Sequence, residues 1–418
     1  MRKYLIEGGH RLTGTVEISG AKNSALKLLA ASIMGDGTTR LSGIPRISDV
    51  QTMCEVLGNL GIRIKEEKNG DILINPSSLK KYEAPYELVR RMRASILVMG
   101  PLLSRLGRAR IAMPGGCNIG SRQIDLHLKG LACLGAEFSL GHGYIDVNAN
   151  NGLRGGEVYL DFPSVGATEN VLMAAVMAKG TTVVSNAARE PEICDLANFL
   201  NSMGAQIEGI GTSTIQIEGV KELHGTEYRV IPDRIETGTL ITATVITGGD
   251  VLIKNTQAKN LEIVISKYSH CGVEFNYAGD ELRVVCNGRI KPTDISTLPY
   301  PGFPTDLQAI SVALLSLADG VSVITENVFD NRFMYVDELN RMGANIKVRG
   351  HQAAIIGVEK LSSAPVRATD LRAGAALSIA ALAAEGVTEI SDIEHIERGY
   401  ENFDEKLSRL GARIKRVK

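Results

Sequence analysis

The sequence predicts an α/β protein of two domains, each built from three units of the βαββα type. Three observations support this prediction. The chain has 418 residues, 44% of them hydrophobic, which is more than one core usually organises. Two glycine-ended patterns also recur along the chain, and both repeat about every 70 residues.

Each pattern predicts the end of a helix, because glycine adopts the backbone angles that close a helical turn. In the first pattern an apolar stretch ends in glycine before a β-rich segment, at Gly37, Gly107, Gly180, Gly249, Gly320 and Gly386. The second leads from a helix into a strand, at Gly61, Gly135, Gly204, Gly272, Gly343 and Gly411. Six units therefore follow, each in the order strand, amphipathic helix, strand, turn, strand and apolar helix.

The apolar helices are hydrophobic on nearly every face and must be buried on all sides. They are ALKLLAASIM, RASILVMGPLL, NVLMAAVMA, TLITATVIT, LQAISVALLSLA and GAALSIAALAA. Polar residues precede them: Lys22 and Asn23, Arg91 and Arg93, Ser164 and Gly166, Arg234 and Glu236, Asp306, and Asp370 with Arg372. Helix capping explains Ser164 or Asp306 singly. It does not explain lysine and arginine at positive helix ends, which favour a bound anion.

The segment MPGGCNIGSR, residues 113–122, is too rich in glycine for a helix or a strand and predicts a loop that carries Cys117. Arg122 lies close by in sequence, and a neighbouring cation favours thiolate over thiol. From the residues alone, Cys117 is either a reactive thiol or an incidental surface cysteine.

Composition excludes several classes of protein. The 46 Lys and Arg residues balance 47 Asp and Glu residues, so the net charge of −1 gives no general attraction to nucleic acid or membranes. The six cysteines form no CxxC pair, which argues against a zinc site and for reduced thiols. No signal segment or membrane span is recognisable, so we expect a cytoplasmic protein.

Nine segments between residues 20 and 407 carry a resemblance to a known family: GAKNSALK, MPGGCNIGSRQIDLH, PSVGATEN, AAREPEICD, PDRIETGT, FPTDLQA, DNRFMYVDEL, ATDLRAGAAL and ERGYENFDEKL. Together, and in this order, they resemble the UDP-N-acetylglucosamine 1-carboxyvinyltransferases, the enolpyruvyl transferases that begin peptidoglycan synthesis. The resemblance implies an inside-out α/β barrel fold with buried central helices. It also implies domains at 22–231 and at 1–21 with 232–418, with the active site in the cleft between them.

The implied reaction moves the enolpyruvyl group of phosphoenolpyruvate to the 3-hydroxyl of UDP-N-acetylglucosamine and releases phosphate, without metal or organic cofactor. By resemblance, Cys117 delivers a proton and Asp306 accepts one, and Lys22 and Arg398 complete the catalytic set. Cys117 would also form a covalent adduct with phosphoenolpyruvate and be the target of fosfomycin. The implied contacts to phosphoenolpyruvate are Lys22, Asn23, Arg122, Arg332, Arg372 and Arg398.

For the sugar nucleotide, the resemblance implies a larger set of contacts. They are Asn23, Arg93, Arg122, Gln123, Ile124, Asp125, Leu126, His127, Ser164, Val165, Gly166, Asp306 and Val328. One departure concerns the diphosphate: some members carry lysine two residues before the serine of SVGAT, where this chain has Phe162. Two rivals stay open, a related transferase acting on shikimate 3-phosphate and a non-catalytic paralogue that binds the sugar nucleotide and regulates cell-wall synthesis.

Overall fold

The computed structural model describes residues 2–113 and 124–417. Its strands are β1 Lys3–Glu7, β2 Thr13–Glu17, β3 Gly35–Asp36, β4 Thr39–Ser42, β5 Arg63–Glu66, β6 Ile72–Asn75, β7 Arg108–Ala112, β8 Glu137–Gly141, β9 Tyr144–Asn148, β10 Glu157–Tyr159, β11 Thr181–Ser185, β12 Gln206–Glu208, β13 Thr214–Glu218, β14 Leu223–His224, β15 Glu227–Arg229, β16 Asp250–Lys254, β17 Glu274–Ala278, β18 Glu281–Val285, β19 Ile295–Ser296, β20 Val321–Thr325, β21 Asn345–Arg349, β22 Gln352–Ile356, β23 Pro365–Arg367, β24 Val387–Ser391 and β25 Arg413–Val417.

The α-helices alternate with these strands, as the sequence predicted for an α/β protein. They are α1 Lys22–Ala31, α2 Ser48–Leu60, α3 Tyr86–Arg91, α4 Met99–Leu106, α5 Asp125–Cys133, α6 Val165–Ala175, α7 Pro191–Ser202, α8 Arg234–Ile246, α9 Glu262–His270, α10 Gln308–Leu315, α11 Val336–Arg341, α12 Leu371–Ala383, α13 Glu394–Glu397 and α14 Phe403–Arg409. Short 3-10 helices are Ser32–Met34, Pro76–Ser78, Arg93–Val98, Ala258–Leu261 and Thr305–Leu307. No helix in the described part of the chain is long and apolar enough to cross a membrane.

The described residues form two compact units. The mid-chain unit comprises residues 20–113 and 124–231, and the terminal unit comprises residues 2–19 and 232–417. Each unit has its own hydrophobic core, as expected for a chain of this length.

Each unit contains three sheets of three or four strands among the residues described, which matches the predicted repeat of six. In the mid-chain unit the strand orders are β15-β4-β6-β5, β7-β9-β8 and β10-β11-β13-β12, and the short strands β3 and β14 pair separately. In the terminal unit they are β17-β18-β16-β2, β19-β20-β22-β21 and β23-β24-β1-β25. In four of the five four-stranded sheets, the strand that follows a buried helix pairs in parallel with one strand and antiparallel with a hairpin, as β11 does with β10 and with β13-β12. In the fifth, β24 pairs in parallel with β23 and antiparallel with β1, which pairs in turn with β25 from the other end of the chain.

Two strands, β2 and β15, pair with a strand that is distant in the sequence rather than with one close to them. Strand β2 precedes α1 but pairs in parallel with β16, which follows α8. Strand β15 precedes α8 but pairs in parallel with β4, which follows α1. Because these two strands are exchanged, the chain passes from one unit to the other after Ser19 and after Ile231.

The apolar stretches are buried as predicted. In the terminal unit α8, α10 and α12 contact one another, and all residues of α10 are buried. The stretch RASILVMGPLL departs from the prediction of a single helix, because it forms the 3-10 helix Arg93–Val98 followed by α4. Pro101 explains the break, since its ring would clash with the carbonyl of Leu97 in a continuous α-helix. At the start of α4, where the first N–H groups have no helical partner, proline is tolerated.

The second glycine pattern marks helix ends as predicted. All six of its glycines have positive φ, between 86° at Gly135 and 104° at Gly204. Five glycines of the first pattern also have positive φ, whereas at Gly249 the positive φ falls on the preceding residue, Gly248. The first pattern departs from the prediction in one respect: only Gly107 directly ends an α-helix, because Gly37 follows β3 and the other four glycines lie three to five residues beyond their helices. The period of about 70 residues therefore reflects a repeated helix-to-strand turn.

Candidate active site

In the terminal unit, the carboxylate of Asp306 lies between two buried arginines. Arg332 Nη2 donates a hydrogen bond to Oδ1 at 2.8 Å, and Arg372 Nη2 donates one to Oδ2 at 3.2 Å. Asp306 lies in the 3-10 turn Thr305–Leu307, and 27% of its side chain is exposed. The N-cap positions of this turn and of α10 belong to Pro304 and Leu307, so Asp306 is not an ordinary helix cap.

The surroundings of Arg372 keep its guanidinium charged. Burial disfavours the charge, but Asp306, Tyr400 and Asp233 outweigh this effect and raise the pKa of Arg372 above its ordinary value. The guanidinium also lies over the ring of Tyr400, 5.4 Å from the ring centroid. Arg332 and Arg372 converge on the Asp306 carboxylate, and guanidinium groups are suited to bind further carboxylates or phosphates.

Helix α12 holds Arg372 in its first turn. The carboxylate of Asp370 accepts hydrogen bonds from the backbone N–H groups of Arg372 at 2.9 Å and Ala373 at 3.1 Å, which caps the helix. A cation at this end of a helix opposes the helix dipole, as noted from the sequence, and Asp306 compensates for it. Arg398 is half-buried and is the C-cap residue that directly follows α13.

In the mid-chain unit, Lys22 is the first residue of α1 and is buried. Its Nζ lies 2.7 Å from Oδ2 of Asp49, in the first turn of α2. Asp49 was not predicted as a site residue, because an acidic residue in the first turn of a helix usually indicates a favourable interaction with the helix dipole. Asn23, the next residue after Lys22, is half-buried.

His127 lies on α5 in a network of buried groups. Asn170 Nδ2 donates a hydrogen bond to His127 Nδ1 at 2.9 Å, and Asn170 Oδ1 accepts one from the backbone N–H of Gly100 at 2.8 Å. Because the second bond fixes the orientation of the amide, the first assigns the proton of the neutral imidazole to Nε2. Burial, with a smaller effect of Arg93, lowers the pKa of His127 to about 4.

The neutral imidazole of His127 packs against the start of α6. A Cβ at Gly166 would lie 2.9 Å from His127 Cε1, so glycine is needed for this close approach. Ser164 caps α6, since its Oγ accepts a hydrogen bond from the N–H of Ala167 at 3.3 Å. The predicted diphosphate turn, which includes Val165, is therefore the beginning of a capped helix, where backbone N–H groups favour anions.

The remaining predicted contacts of the mid-chain unit lie close in sequence to these groups. Arg93 begins the 3-10 helix Arg93–Val98 and is half-buried, whereas Arg91 forms an exposed pair with Glu55 at 3.0 Å. Half-buried Ile124 precedes α5, exposed Asp125 begins it and half-buried Leu126 follows.

The other predicted site residues lie outside the described part of the chain or away from the groups above. Cys117, Arg122 and Gln123 lie outside the described residues. Val328 is in the terminal unit, half-buried and three residues beyond β20. Phe162, at the position where some relatives carry lysine, is 41% exposed.

No group of three or more His, Cys, Asp or Glu side chains within residues 2–113 and 124–417 is arranged to hold a metal ion. The polar groups of both units are lysine, arginine, amide, imidazole and carboxylate side chains together with helix N-termini. These groups suit ligands that carry phosphates and carboxylates.

A family model described as EPSP synthase (3-phosphoshikimate 1-carboxyvinyltransferase) matches residues 6–407. The fold is similar to the crystal structure of the enolpyruvyl transferase NikO from Streptomyces tendae, with a TM-score of 0.90 and 26% identity over 100% of this chain and 99% of that one. It is also similar to EPSP synthase from Acinetobacter baumannii, with a TM-score of 0.76 and 20% identity over 100% of both chains, which concerns the fold alone. The chain belongs to this family of enolpyruvyl transferases.

Relatives of higher identity resolve the family further. The chain is 57% identical over 419 residues, covering 100% of both proteins, to UDP-N-acetylglucosamine 1-carboxyvinyltransferase 2 of Carboxydothermus hydrogenoformans. It is 53% identical over 418 residues, covering 100% of this chain and 95% of the other, to UDP-N-acetylglucosamine 1-carboxyvinyltransferase 1 of Halalkalibacterium halodurans. The resemblance predicted from the sequence motifs is confirmed, and the chain is an enzyme.

Proposed function

We propose that this enzyme transfers the enolpyruvyl group of phosphoenolpyruvate to the 3-hydroxyl of UDP-N-acetylglucosamine and releases phosphate, the first committed step of peptidoglycan synthesis. The observation that carries the proposal is identity of 51 to 57% over essentially the whole chain to four relatives that bear the name of this activity. The rival acting on shikimate 3-phosphate gives its name to the family model and to solved structures of 20% identity, and these define the family and the fold but not the acceptor.

The phosphoenolpyruvate carboxylate is assigned to Arg332, Arg372 and Arg398, and its phosphate to Lys22, Arg122 and Arg398. The buried pair of Arg332 and Arg372 supports this assignment, because both guanidinium groups lie together at the carboxylate of Asp306. Arginine suits a planar carboxylate because its N–H groups form a fixed fork. Asn23 is assigned to both substrates.

The reaction needs two proton transfers during addition. The methylene carbon of the donor takes a proton, which we assign to Cys117, while the 3-hydroxyl oxygen of the sugar attacks the adjacent carbon. The proton of that hydroxyl passes to Asp306, a carboxylate that accepts hydrogen bonds from Arg332 and Arg372. The tetrahedral adduct then loses a proton from its methyl carbon, the former methylene carbon, to the Cys117 thiolate as the C–O bond to phosphate breaks, which restores the double bond and releases phosphate.

UDP-N-acetylglucosamine recognition is assigned to residues 122–127, Ser164, Val165, Gly166, Asn23, Arg93 and Val328. Two features of the mid-chain unit support it. The capped start of α6 offers backbone N–H groups to a diphosphate. These donors are present although Phe162 stands where some relatives carry a lysine. The neutral imidazole of His127 offers an N–H donor at Nε2 without competing for protons above pH 5.

The finer structural predictions are part of this proposal. We propose the inside-out arrangement with central helices, the domain boundaries at 22–231 and at 1–21 with 232–418, and substrate binding in the cleft between the domains. A cytoplasmic location is consistent with Cys54, Cys133, Cys194, Cys271 and Cys286, which are free thiols. Neither nucleic acid nor membrane is proposed as a partner.

The test is a phosphate-release assay with phosphoenolpyruvate and one of two acceptors. We expect release with UDP-N-acetylglucosamine and none with shikimate 3-phosphate. Release with shikimate 3-phosphate alone would identify the rival transferase. Binding of UDP-N-acetylglucosamine without release from either acceptor would identify a non-catalytic binder.

A further inference from the structure

Glu326 is a buried carboxylate that no step of the proposed reaction uses. It directly follows strand β20 in the terminal unit and is 1% exposed. Its Oε1 accepts hydrogen bonds from Thr297 Oγ1 at 2.8 Å, from the N–H of Val328 at 2.8 Å and from the N–H of Phe329 at 3.1 Å. Its Oε2 accepts a fourth from Thr305 Oγ1 at 2.9 Å.

These four donors come from three separate segments of the chain. Thr297 follows β19, Thr305 begins the 3-10 turn that contains Asp306, and the N–H groups of Val328 and Phe329 belong to the segment that leads to Arg332. The segment around Thr297 is itself joined to the same region, because its Oγ1 accepts a hydrogen bond from the N–H of Asn327 at 3.0 Å. One carboxylate thus connects the turn of Asp306 to the segment of Val328.

The chemistry of the position calls for a carboxylate. Ionised glutamate only accepts hydrogen bonds, and two oxygens can serve four donors. An alanine at position 326 would leave buried N–H and O–H groups without an acceptor, which costs more than the bonds themselves contribute. The interaction of Thr305 with Oε2 is the one direct contact among these four that reaches the turn of Asp306.

We propose that Glu326 is a positioning residue for the transfer reaction, which holds the Asp306 turn and the Val328 segment in a fixed relation. This inference rests on the proposed function, in which Asp306 accepts the hydroxyl proton and Val328 contacts the sugar. Thr305 carries the link to Asp306, and the backbone N–H of Val328 carries the link to the sugar contact.

The sharpest test severs only the link to Asp306. Thr305→Val keeps the shape of threonine but removes the hydroxyl, and Thr305→Ser keeps the hydroxyl. We expect Thr305→Val to lower kcat about ten-fold or more, the rate equivalent of one hydrogen bond to a charged group, with the KM for UDP-N-acetylglucosamine within about two-fold of wild type. Thr305→Ser should restore kcat to within about two-fold of wild type.

A matched control is Thr181→Val in the mid-chain unit. Thr181 is exposed, and its Oγ1 donates to the carboxylate of Glu218 at 2.7 and 2.9 Å. The variant therefore removes the same type of hydrogen bond, threonine to glutamate, at a position far along the chain from Glu326. Its kcat should be that of wild type. Wild-type kcat in Thr305→Val, or a loss that Thr305→Ser shares, would overturn the inference.

A second variant tests both links together. Glu326→Ala should lower kcat and also raise the KM for UDP-N-acetylglucosamine, in contrast with the kcat effect alone in Thr305→Val. Equal effects of the two variants on KM would contradict the assignment of Thr305 to the link with Asp306 and of the Val328 N–H to the link with the sugar contact. If wild-type enzyme releases no phosphate with UDP-N-acetylglucosamine, the proposed function itself fails, whereas an active wild type with an unaffected Thr305→Val rejects only the role of Glu326.

Discussion

The two units repeat the same helix and sheet pattern, yet their polar groups differ in kind. In the terminal unit the site residues form an ion-paired cluster, with Asp306 held by Arg332 and Arg372. At the start of α6 in the mid-chain unit, by contrast, the group is a neutral imidazole, His127, hydrogen-bonded to the amide of Asn170. The terminal unit is therefore equipped to hold anions and move a proton, and this part of the mid-chain unit to recognise a ligand.

The repeated fold places a helix N-terminus at equivalent points of both units, and individual residues supply the chemistry there. Both units present the N-terminus of a buried helix, α6 in one and α12 in the other. Ser164 caps the first through the N–H of Ala167 and adds no charge, whereas Asp370 caps the second, whose first turn carries the guanidinium of Arg372. A uniform scaffold thus carries two different functions.

The largest expected effect comes from removing the charge of Asp306. Asp306→Asn keeps the shape of the side chain but cannot accept the hydroxyl proton, so kcat should fall about a thousand-fold. Titration calorimetry should show that the Kd for UDP-N-acetylglucosamine changes much less. Asp250→Asn is the control, since it breaks an exposed aspartate pair with Arg283 at 2.8 Å and should leave kcat unchanged. An Asp306→Asn enzyme that retains a tenth of its turnover would exclude Asp306 as the base.

The second prediction concerns pH and the neutral imidazole of His127. Its pKa is about 4 in the folded chain and about 6.5 when unfolded, so the unfolded state binds more protons between these values and stability falls as the pH falls through this window. From pH 7 to pH 4.5, wild type should lose about 2.5 kcal/mol more than His127→Gln in the free energy of unfolding by urea.

Glu169 acts in the opposite direction but does not affect this difference. Burial raises the pKa of Glu169 to about 7 although the ion pair with Lys27 acts to lower it, so the contribution of Glu169 to stability is lost as pH rises, equally in both proteins. The control is His142→Asn, because His142 is exposed with φ of 52°, an angle that asparagine tolerates. If His127→Gln and wild type lose stability in parallel, His127 is not buried as a neutral group.

Much of this organisation could be predicted from the sequence. The glycines that close helices, such as Gly204 and Gly411, predicted six units because their conformational requirement is local. The polar residues at helix starts could also be predicted, because they directly precede the apolar stretches in the sequence. Asp306 required the family resemblance, since its position alone was equally consistent with a helix cap.

The supporting residues could not be predicted, because their partners are distant in the chain. Asn170 and His127 are 43 residues apart, and Glu326 and Thr305 are 21 residues apart. No periodic pattern indicates such pairs. The available signal for Glu326 was an acidic residue immediately after the alternating strand VSVIT, and for Asn170 a polar residue inside an otherwise apolar helix.

The smallest expected effect comes from Asn170, on the recognition side of the comparison. Asn170→Ala removes the donor that orients His127, so the Kd for UDP-N-acetylglucosamine should rise about ten-fold while kcat at saturation stays within about two-fold. Asn201→Ala is a matched control in the same unit, since its amide bridges the backbone of Ile207 at 2.9 and 3.0 Å. In thermal melting, Asn201→Ala should be destabilised about as much as Asn170→Ala, but its Kd for UDP-N-acetylglucosamine should not change. A loss of kcat in Asn170→Ala would contradict the assigned role in recognition.

The most direct test of this division is a double-mutant cycle of Asp306→Asn and Asn170→Ala, measured as kcat/KM for UDP-N-acetylglucosamine. If one residue serves proton transfer and the other recognition, their effects on the free energy of activation should add within about 0.5 kcal/mol. A coupling energy above about 1 kcal/mol would contradict the account, because it would show that the two groups act on the same step.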